Sequence, residues 1–183
     1  MGDGQANYLD VFPTWLQSLG EDAEKIGQLI ANAALPDGAR QALTGGVNYI
    51  FKSLDLVPDG IDDIGYLDDA FVLRVAADLA IREDLSSLDA DTVRGLNRMA
   101  EEADLIRGFL GGDYSRLEGY VNGLRKVAAR GRSVQDILHD RTVQSAFLSD
   151  LRGFVRTFRA PSFSREGRNL VKLKAFFDAK LPK

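Results

Sequence analysis

The amino-acid sequence predicts an all-α fold, a compact multi-helix bundle of about seven or eight helices. Apolar residues recur at spacings of three and four along most of the chain, which is the period of an amphipathic helix. No run of alternating apolar and polar residues is long enough to indicate a β-strand. Glycine, proline and capping residues separate the periodic stretches at intervals typical of helices.

The composition indicates a folded chain with few reactive groups. Of its 183 residues, 45% are hydrophobic, which is enough to bury a core. It has no cysteine and only one histidine, so disulfides, thiolate ligands and histidine-rich metal sites are excluded. The first six residues show no basic segment and no apolar run, so no secretory signal is expected. We therefore expect a cytoplasmic protein, with peripheral attachment to a membrane as an extension of that expectation.

The first half is predicted to hold four helices, over residues 8–19, 21–34, about 37–53 and about 66–81. Gly20 is expected to separate the first two, and Pro36 suits the start of the third. Gly45 and Gly46 lie inside the third helix, where each glycine costs roughly 1 kcal/mol relative to alanine. Close approach of another helix is the expected compensation.

The fourth predicted helix is apolar nearly all round, which is typical of a buried helix. Arg74 and Asp78 are the two charges in its body, four residues apart. Since an unpaired buried charge costs several kcal/mol, we predict that they form a structural ion pair. The alternative is that Arg74 reaches an acid of the segment that precedes the helix.

The second half is predicted to continue with helices over residues 91–109, 113–130, a short one from 133, 141–158 and about 164–181. The two halves differ in charge: residues 1–91 hold 5 basic and 17 acidic residues, and residues 92–183 hold 18 and 10. We therefore predict an acidic N-terminal helical region, 1–91, and a basic C-terminal helical extension, 92–183, packed on it as one compact unit.

One segment, Leu54–Asp69, stands out and is called the acidic corner below. It reads Leu-Asp-Leu-Val-Pro-Asp-Gly-Ile-Asp-Asp-Ile-Gly-Tyr-Leu-Asp-Asp, with six aspartates and no basic residue. Large apolar residues are interleaved with the acids, which a solvated linker would not need. The pattern predicts a packed corner between two helices, in which the backbone holds the carboxylates.

The acidic corner resembles the signature of the YkvA-like family of uncharacterised bacterial proteins, Ser-Pro-Ile-Asp-Leu-Ile-Pro-Asp-Phe-Ile-Pro followed by Gly-Tyr-Leu-Asp-Asp. The matching residues are Asp55, Leu56, Pro58, Asp59, Ile61, Gly65, Tyr66, Leu67, Asp68 and Asp69, with Val57 a conservative match. The departures are Lys52, Ser53, Gly60 and Asp62. The resemblance spans residues 45–80. It implies a small helical domain and no particular activity.

Two interpretations of the acids stay open. The four acids shared with the motif are candidate oxygen ligands for Mg²⁺, Mn²⁺ or Ca²⁺, namely Asp55, Asp59, Asp68 and Asp69. Their spacing is not that of an EF-hand loop. In the structural interpretation the acids cap helices and accept hydrogen bonds from backbone N–H groups, and no cofactor is expected.

The end of the chain is strongly basic. Residues 152–183 hold nine basic residues against Glu166 and Asp178, with phenylalanines interleaved. Such a segment can lie on an anionic membrane surface, with contacts expected from Arg152, Arg156, Arg159, Arg165, Arg168, Lys172 and Lys174. The alternative is that the phenylalanines pack into the core and the basic side chains form a solvated face. Nucleic acid is not the expected partner, because no docking motif accompanies the charge.

The function favoured by these patterns is a non-enzymatic interaction or scaffold module. Its partner would be another protein or an anionic membrane surface, and homo-oligomers are a further option. The alternative is a divalent-metal-dependent hydrolase that uses the acidic corner, because no nucleophile–base pair is recognisable and catalysis would need a metal.

Overall fold

A computed structural model of the protein describes residues 3–183, with side chains from Asn7 onward. Residues 1–2, part of the segment without a signal pattern, lie outside the described residues. The described chain is all-α, which confirms the predicted fold class. Its eight α-helices are α1 Asp3–Ile30, α2 Asp37–Tyr49, α3 Leu67–Ala80, α4 Ala90–Leu110, α5 Tyr114–Gly123, α6 Val134–His139, α7 Arg141–Thr157 and α8 Gly167–Lys180.

The first helix is continuous, so the predicted separation at Gly20 is wrong. α1 runs through Gly20 because α7 and the residue after it pack against that side of the helix. A Cβ at Gly20 would lie 3.7 Å from the ring of Phe158, and one at Gly27 would overlap the side chain of Leu151. Gly27 thus lets α7 approach α1 closely, whereas a Cβ at Gly20 would make only ordinary contact. The packing of α7 against this face offsets the low helix propensity of both glycines.

The expected close approach at Gly45 and Gly46 is confirmed. A Cβ at Gly46 would lie 2.7 Å from the Cβ of Ala76 in α3, which is shorter than real contacts allow. On the neighbouring face, a Cβ at Gly45 would lie 3.2 Å from the backbone of Leu124 and Arg125. α2 therefore packs closely against α3 on one face and against the segment that follows α5 on the other.

α3 lies at the centre of the bundle and is buried along nearly its whole length, apart from Asp78 and Leu79. It packs mainly against α2 and α4, with α1 alongside. Phe71 in α3 joins a cluster of aromatic rings, with its centroid 5.0 Å from Phe12 and 5.3 Å from Phe177. The hydrophobic core extends from α1 to the residues after α8, so both halves of the chain share it.

The helix predicted over 113–130 ends early, at Gly123. A 3₁₀ turn, Leu124–Lys126, follows it, and Val127 is already extended. Next comes a small antiparallel hairpin of β1, Ala128–Ala129, and β2, Arg132–Ser133. Arg130 and Gly131 both have positive φ angles, 48° and 74°, as a two-residue turn of this hand requires. Two-residue strands are too short to show a period in the sequence.

No helix within residues 3–183 combines the length and the apolar character that crossing a membrane requires.

Candidate functional site

The acidic corner joins the end of α2 to the start of α3, and Tyr49 and Asp68 hold it together. The buried Tyr49 hydroxyl donates a hydrogen bond to Asp68 Oδ2 at 2.5 Å and accepts one from the Leu56 N–H at 2.7 Å. The Val57 N–H donates to the same carboxylate oxygen at 2.9 Å. The Tyr49 hydroxyl and one backbone N–H thus hold this carboxylate. The structural interpretation of the sequence predicts such a backbone contact, but the helix capping that it also predicts is not made at α3, where no side chain caps the helix.

The corner also contacts the segment that precedes α8. Asp63, in the left-handed region with a φ of 69°, accepts hydrogen bonds from the N–H and the hydroxyl of Ser164, at 2.7 Å and 3.0 Å. Asn169 Nδ2 in turn donates to the Ser164 carbonyl at 2.8 Å. The N–H of Ser164 lowers the pKa of Asp63 because it stabilises the ionised carboxylate. The corner therefore anchors the basic end of the chain.

Gly65 is required by the tight path of the corner. A Cβ at this position would overlap the carbonyl oxygen of Asp59, and it would also lie 3.0 Å from the carbonyl oxygen of Ile61. The next residue, Tyr66, turns into α3 with a φ of 64°. This backbone path brings the start of α3 back beneath the loop.

The four candidate metal ligands lie near enough for their charges to affect one another's pKa values. Burial raises the pKa of Asp68 to about 7, although the Tyr49 hydroxyl and the Val57 N–H act in the opposite direction. Burial raises the pKa of the neighbouring Asp69 well above its usual range, and the charges of Asp68, Asp59 and Asp55 raise it further. Two buried carboxyls side by side cannot both ionise cheaply, so the pair retains protons near neutral pH.

The two outer acids have weaker versions of the same shift. Burial and the charge of Asp59 raise the pKa of Asp55 to about 6, while Lys52 opposes them. Burial raises the pKa of Asp59, and the nearby Tyr66 hydroxyl lowers it. Asp62 is exposed and stands apart from the four.

This arrangement differs from an established metal centre. Among the side chains that the structure describes, residues 7–183, no three or more of His, Cys, Asp or Glu are grouped so that they could hold a metal ion. One carboxylate oxygen of the corner is nevertheless available as a ligand: Asp68 Oδ1 is buried and has no hydrogen-bond partner in the described chain. The binding of Mg²⁺, Mn²⁺ or Ca²⁺ at the four aspartates stays a prediction.

The predicted ion pair between Arg74 and Asp78 is wrong. Arg74 is fully buried and pairs with Asp22 of α1, at 3.2 Å, and with Glu102 of α4, at 2.6 Å. Asp78 lies on the less buried side of α3 and pairs with Arg82 at 2.6 Å. Although Arg74 and Asp78 are one helical turn apart, Arg74 points between α1 and α4, where the other acids lie.

The Arg74 network consists of residues that were not predicted from the sequence as its partners: Asp22, Glu102 and Arg98. Arg98 of α4 bridges the same two acids, 3.2 Å from Asp22 and 3.0 Å from Glu102. The guanidinium of Arg74 also stacks 4.3 Å from the centroid of the Trp15 ring. Burial lowers the pKa of Arg74, and the two acids oppose this effect. Asp22 interrupts the apolar face of α1, and that interruption was the available signal in the sequence.

The seven predicted anionic-surface contacts are all exposed, but they are not one uniform face. Arg165 pairs with Asp10 at 3.0 Å, and Arg168 with Glu166 at 2.8 Å. Lys174 lies 4.9 Å from the centroid of the Phe109 ring. The interleaved phenylalanines pack into or against the core, so they do not form an exposed apolar face.

The remaining arginines form a group that is called the α7 arginine cluster below: Arg152, Arg156 and Arg159. Arg152 and Arg156, four residues apart, lie on one side of α7, and Arg159 follows two residues after the helix ends. None of the three pairs with an acidic side chain that the structure describes. Arg159 donates instead to the backbone carbonyls of Arg156 and Phe158.

Comparison with known proteins gave no match to a family model, a curated protein or a solved structure. The resemblance to the YkvA-like family therefore depends on the residues of the acidic corner alone and stays a prediction.

Proposed function

We propose that the protein is a non-enzymatic interaction module that attaches to an anionic membrane surface through the α7 arginine cluster. One observation carries the proposal: three exposed arginines lie within eight residues at the end of α7, and none of them has an acidic partner in the described chain. Guanidinium groups bind phosphate oxygens in a bidentate manner, so lipid headgroups supply the missing partner.

Stabilisation of the helix accounts for only part of this cluster. Cations near a helix C-terminus stabilise it by about 0.3–1 kcal/mol, and Arg159 plays this role through the carbonyl of Arg156. Arg152 lies more than a turn before the end of α7 and donates to no backbone carbonyl. Arg152 and Arg156 are one helical turn apart, and an external anion would reduce the repulsion between their like charges.

A second exposed patch on α8 has the chemistry of a membrane contact. The side chain of Val171 is 68% exposed, one of two large apolar side chains this open in the described chain. Arg168 and Lys172 lie one turn apart on the same side of α8. An apolar side chain among cations is typical of helices that lie at the membrane interface.

Vesicle cosedimentation tests the proposal. A basic residue close to an anionic surface contributes about 1 kcal/mol, so replacing all three arginines of the cluster by glutamine should weaken partitioning on the order of 100-fold. The matched control replaces three exposed basic residues elsewhere by glutamine, namely Arg94, Arg107 and Lys126. Equal loss in both variants would mean that net charge, rather than this cluster, attracts the protein.

The second candidate function is a divalent-metal-dependent hydrolase built on the acidic corner. The observation that favours it is Asp68 Oδ1, buried without a hydrogen-bond partner among the described residues. A ligand that binds only the folded state raises its melting temperature. If the hydrolase proposal holds, Mg²⁺, Mn²⁺ or Ca²⁺ should therefore stabilise EDTA-treated protein and should not stabilise Asp59→Asn. No shift with any of the three ions would exclude this candidate.

A further inference from the structure

A shallow groove runs along the exposed side of α5, with a volume of about 480 Å³. Its apolar walls come from Tyr120, Leu124 and Val127. Gly119 and Gly123 leave its floor open, because a Cβ at either position would have no other atom within 4 Å. The groove is therefore wide enough for an aliphatic side chain from outside.

An exposed leucine lies at the rim of this groove. Leu54, at the start of the acidic corner, is 78% exposed, the most open large apolar side chain in the described chain. Lys52 lines the groove, and its Nζ donates to the Leu54 carbonyl and to the Tyr120 hydroxyl, each at 2.8 Å. The leucine side chain is thus beside the groove but does not fill it.

The groove and the leucine's own segment have opposite charges. The charged residues that line the groove are basic, namely Lys52, Arg116 and Lys183. Arg116 already pairs with Asp113 and Asp178, so Lys52 and Lys183 are the bases that a partner's acids would meet. The acidic corner has no basic residue, and Asp59 and Asp62 are exposed on it. An interface that places this leucine in the groove would therefore also bring the acids of the acidic corner close to the basic residues of the groove.

We propose that the partner of this groove is a second copy of the chain, with Leu54 of each copy inserted into the groove of the other. Because the leucine and the groove are adjacent on one surface, a two-fold axis between them satisfies both contacts and closes the assembly as a dimer. The chain itself supplies the apolar side chain and the acids that the groove fits. This inference does not depend on membrane attachment.

Sedimentation velocity without lipid tests the dimer. The wild-type protein should shift from monomer to dimer between about 1 and about 200 µM, the range expected for a small contact. Leu54→Ser and Gly119→Arg should each raise the dimer dissociation constant at least about tenfold, since one removes the apolar side chain and the other fills the groove. Far-UV circular dichroism should show both variants folded, because the space around the Gly119 Cβ is open.

Matched controls separate this surface from general changes in surface chemistry. Val171→Ser removes the other exposed apolar side chain, and Gly153→Arg adds an arginine at a helical glycine that also has open space around it. Both should dimerise as the wild-type protein does. A wild-type protein that stays monomeric at the highest concentration, or a dimer that Leu54→Ser and Gly119→Arg leave intact, would overturn the proposal.

Cysteine crosslinking gives a second, independent measurement, because the chain has no cysteine of its own. A mixture of Leu54→Cys protein and Gly123→Cys protein should form a disulfide-linked heterodimer on oxidation. A mixture of Val171→Cys protein and Gly153→Cys protein should not. Absence of the heterodimer band in the first mixture, or equal bands in both, would contradict the proposed contact.

Discussion

At the scale of single residues, the buried carboxyls of Asp68 and Asp69 make stability depend on pH. Their pKa values are raised in the folded protein, to about 7 for Asp68, so the folded state retains protons that the unfolded chain loses near its ordinary pKa of 3.8. The stabilisation is complete below that ordinary value and is lost as the pH rises through the folded value. It should amount to about 1–3 kcal/mol between about pH 5 and pH 8.

Asp69→Asn tests this dependence, because asparagine keeps the shape of the side chain and does not titrate. The variant should be more stable than the wild-type protein at about pH 8 and similar at about pH 5, as measured by urea unfolding. Asp62→Asn, at the exposed aspartate of the same corner, should follow the wild-type curve. A steeper loss of stability with pH in Asp69→Asn would contradict the buried-acid explanation.

Gly65 allows a sharp test of the corner's backbone path. A Cβ there overlaps the carbonyl oxygen of Asp59, whereas one at Gly60 of the same loop meets nothing within 4 Å. Gly65→Ala should therefore lower the free energy of unfolding by about 2 kcal/mol or more, and Gly60→Ala should change it by less than about 0.5 kcal/mol. Urea unfolding measures both, and equal effects would mean that the loop relaxes freely.

The sequence allowed the corner to be predicted better than its chemistry. Acids interleaved with apolar residues indicate a packed turn, because the apolar side chains are then buried while backbone N–H groups bind the carboxylates. Which acids are buried depends on the left-handed residues Asp63 and Tyr66, whose conformation leaves no periodic trace in the sequence. The hydrogen bond between Ser164 and Asp63 joins residues 101 positions apart, and no local sequence pattern predicts it.

At the scale of secondary-structure elements, the Arg74 network holds α1, α3 and α4 together. Asp22→Asn would leave the buried Arg74 without one of its two acids, so it should cost roughly 3–5 kcal/mol of unfolding free energy. Asp78→Asn removes only the more exposed pair with Arg82 and should cost less than about 1 kcal/mol. Thermal or urea unfolding of the two variants compares them directly. A larger loss for Asp78→Asn than for Asp22→Asn would mean that Arg74 pairs with Asp78 on its own helix.

The positions of the helices could be predicted from the sequence, but the contacts between helices could not. The 3.6-residue period located α2, α3, α4 and α7 with shifts of a few residues, because each has a clear apolar face. Arg74 reaches acids 52 and 28 residues away, so its pairing depends on how three helices are rotated in the bundle. The continuity of α1 through Gly20 likewise depends on α7, which approaches from the other half of the chain.

At the scale of the whole molecule, the two halves share one core, and their opposite charges meet at few points. Three described ion pairs join a base of the second half to an acid of the first: Arg94 with Asp91, Arg98 with Asp22 and Arg165 with Asp10. Most of the basic surplus therefore faces solvent rather than the acidic half. This distribution is why an external anion, rather than internal attraction, is the proposed partner of the α7 arginine cluster.

The most direct measurement is the binding of the wild-type protein to vesicles of known charge. Vesicles with about 30% phosphatidylserine and vesicles of phosphatidylcholine alone are compared at low and high salt, because surface attraction is screened within about 10 Å at 0.1 M salt. The proposal predicts binding to the anionic vesicles only, with a loss of at least about tenfold at the higher salt. Equal binding to both vesicles, or none to either, would contradict it.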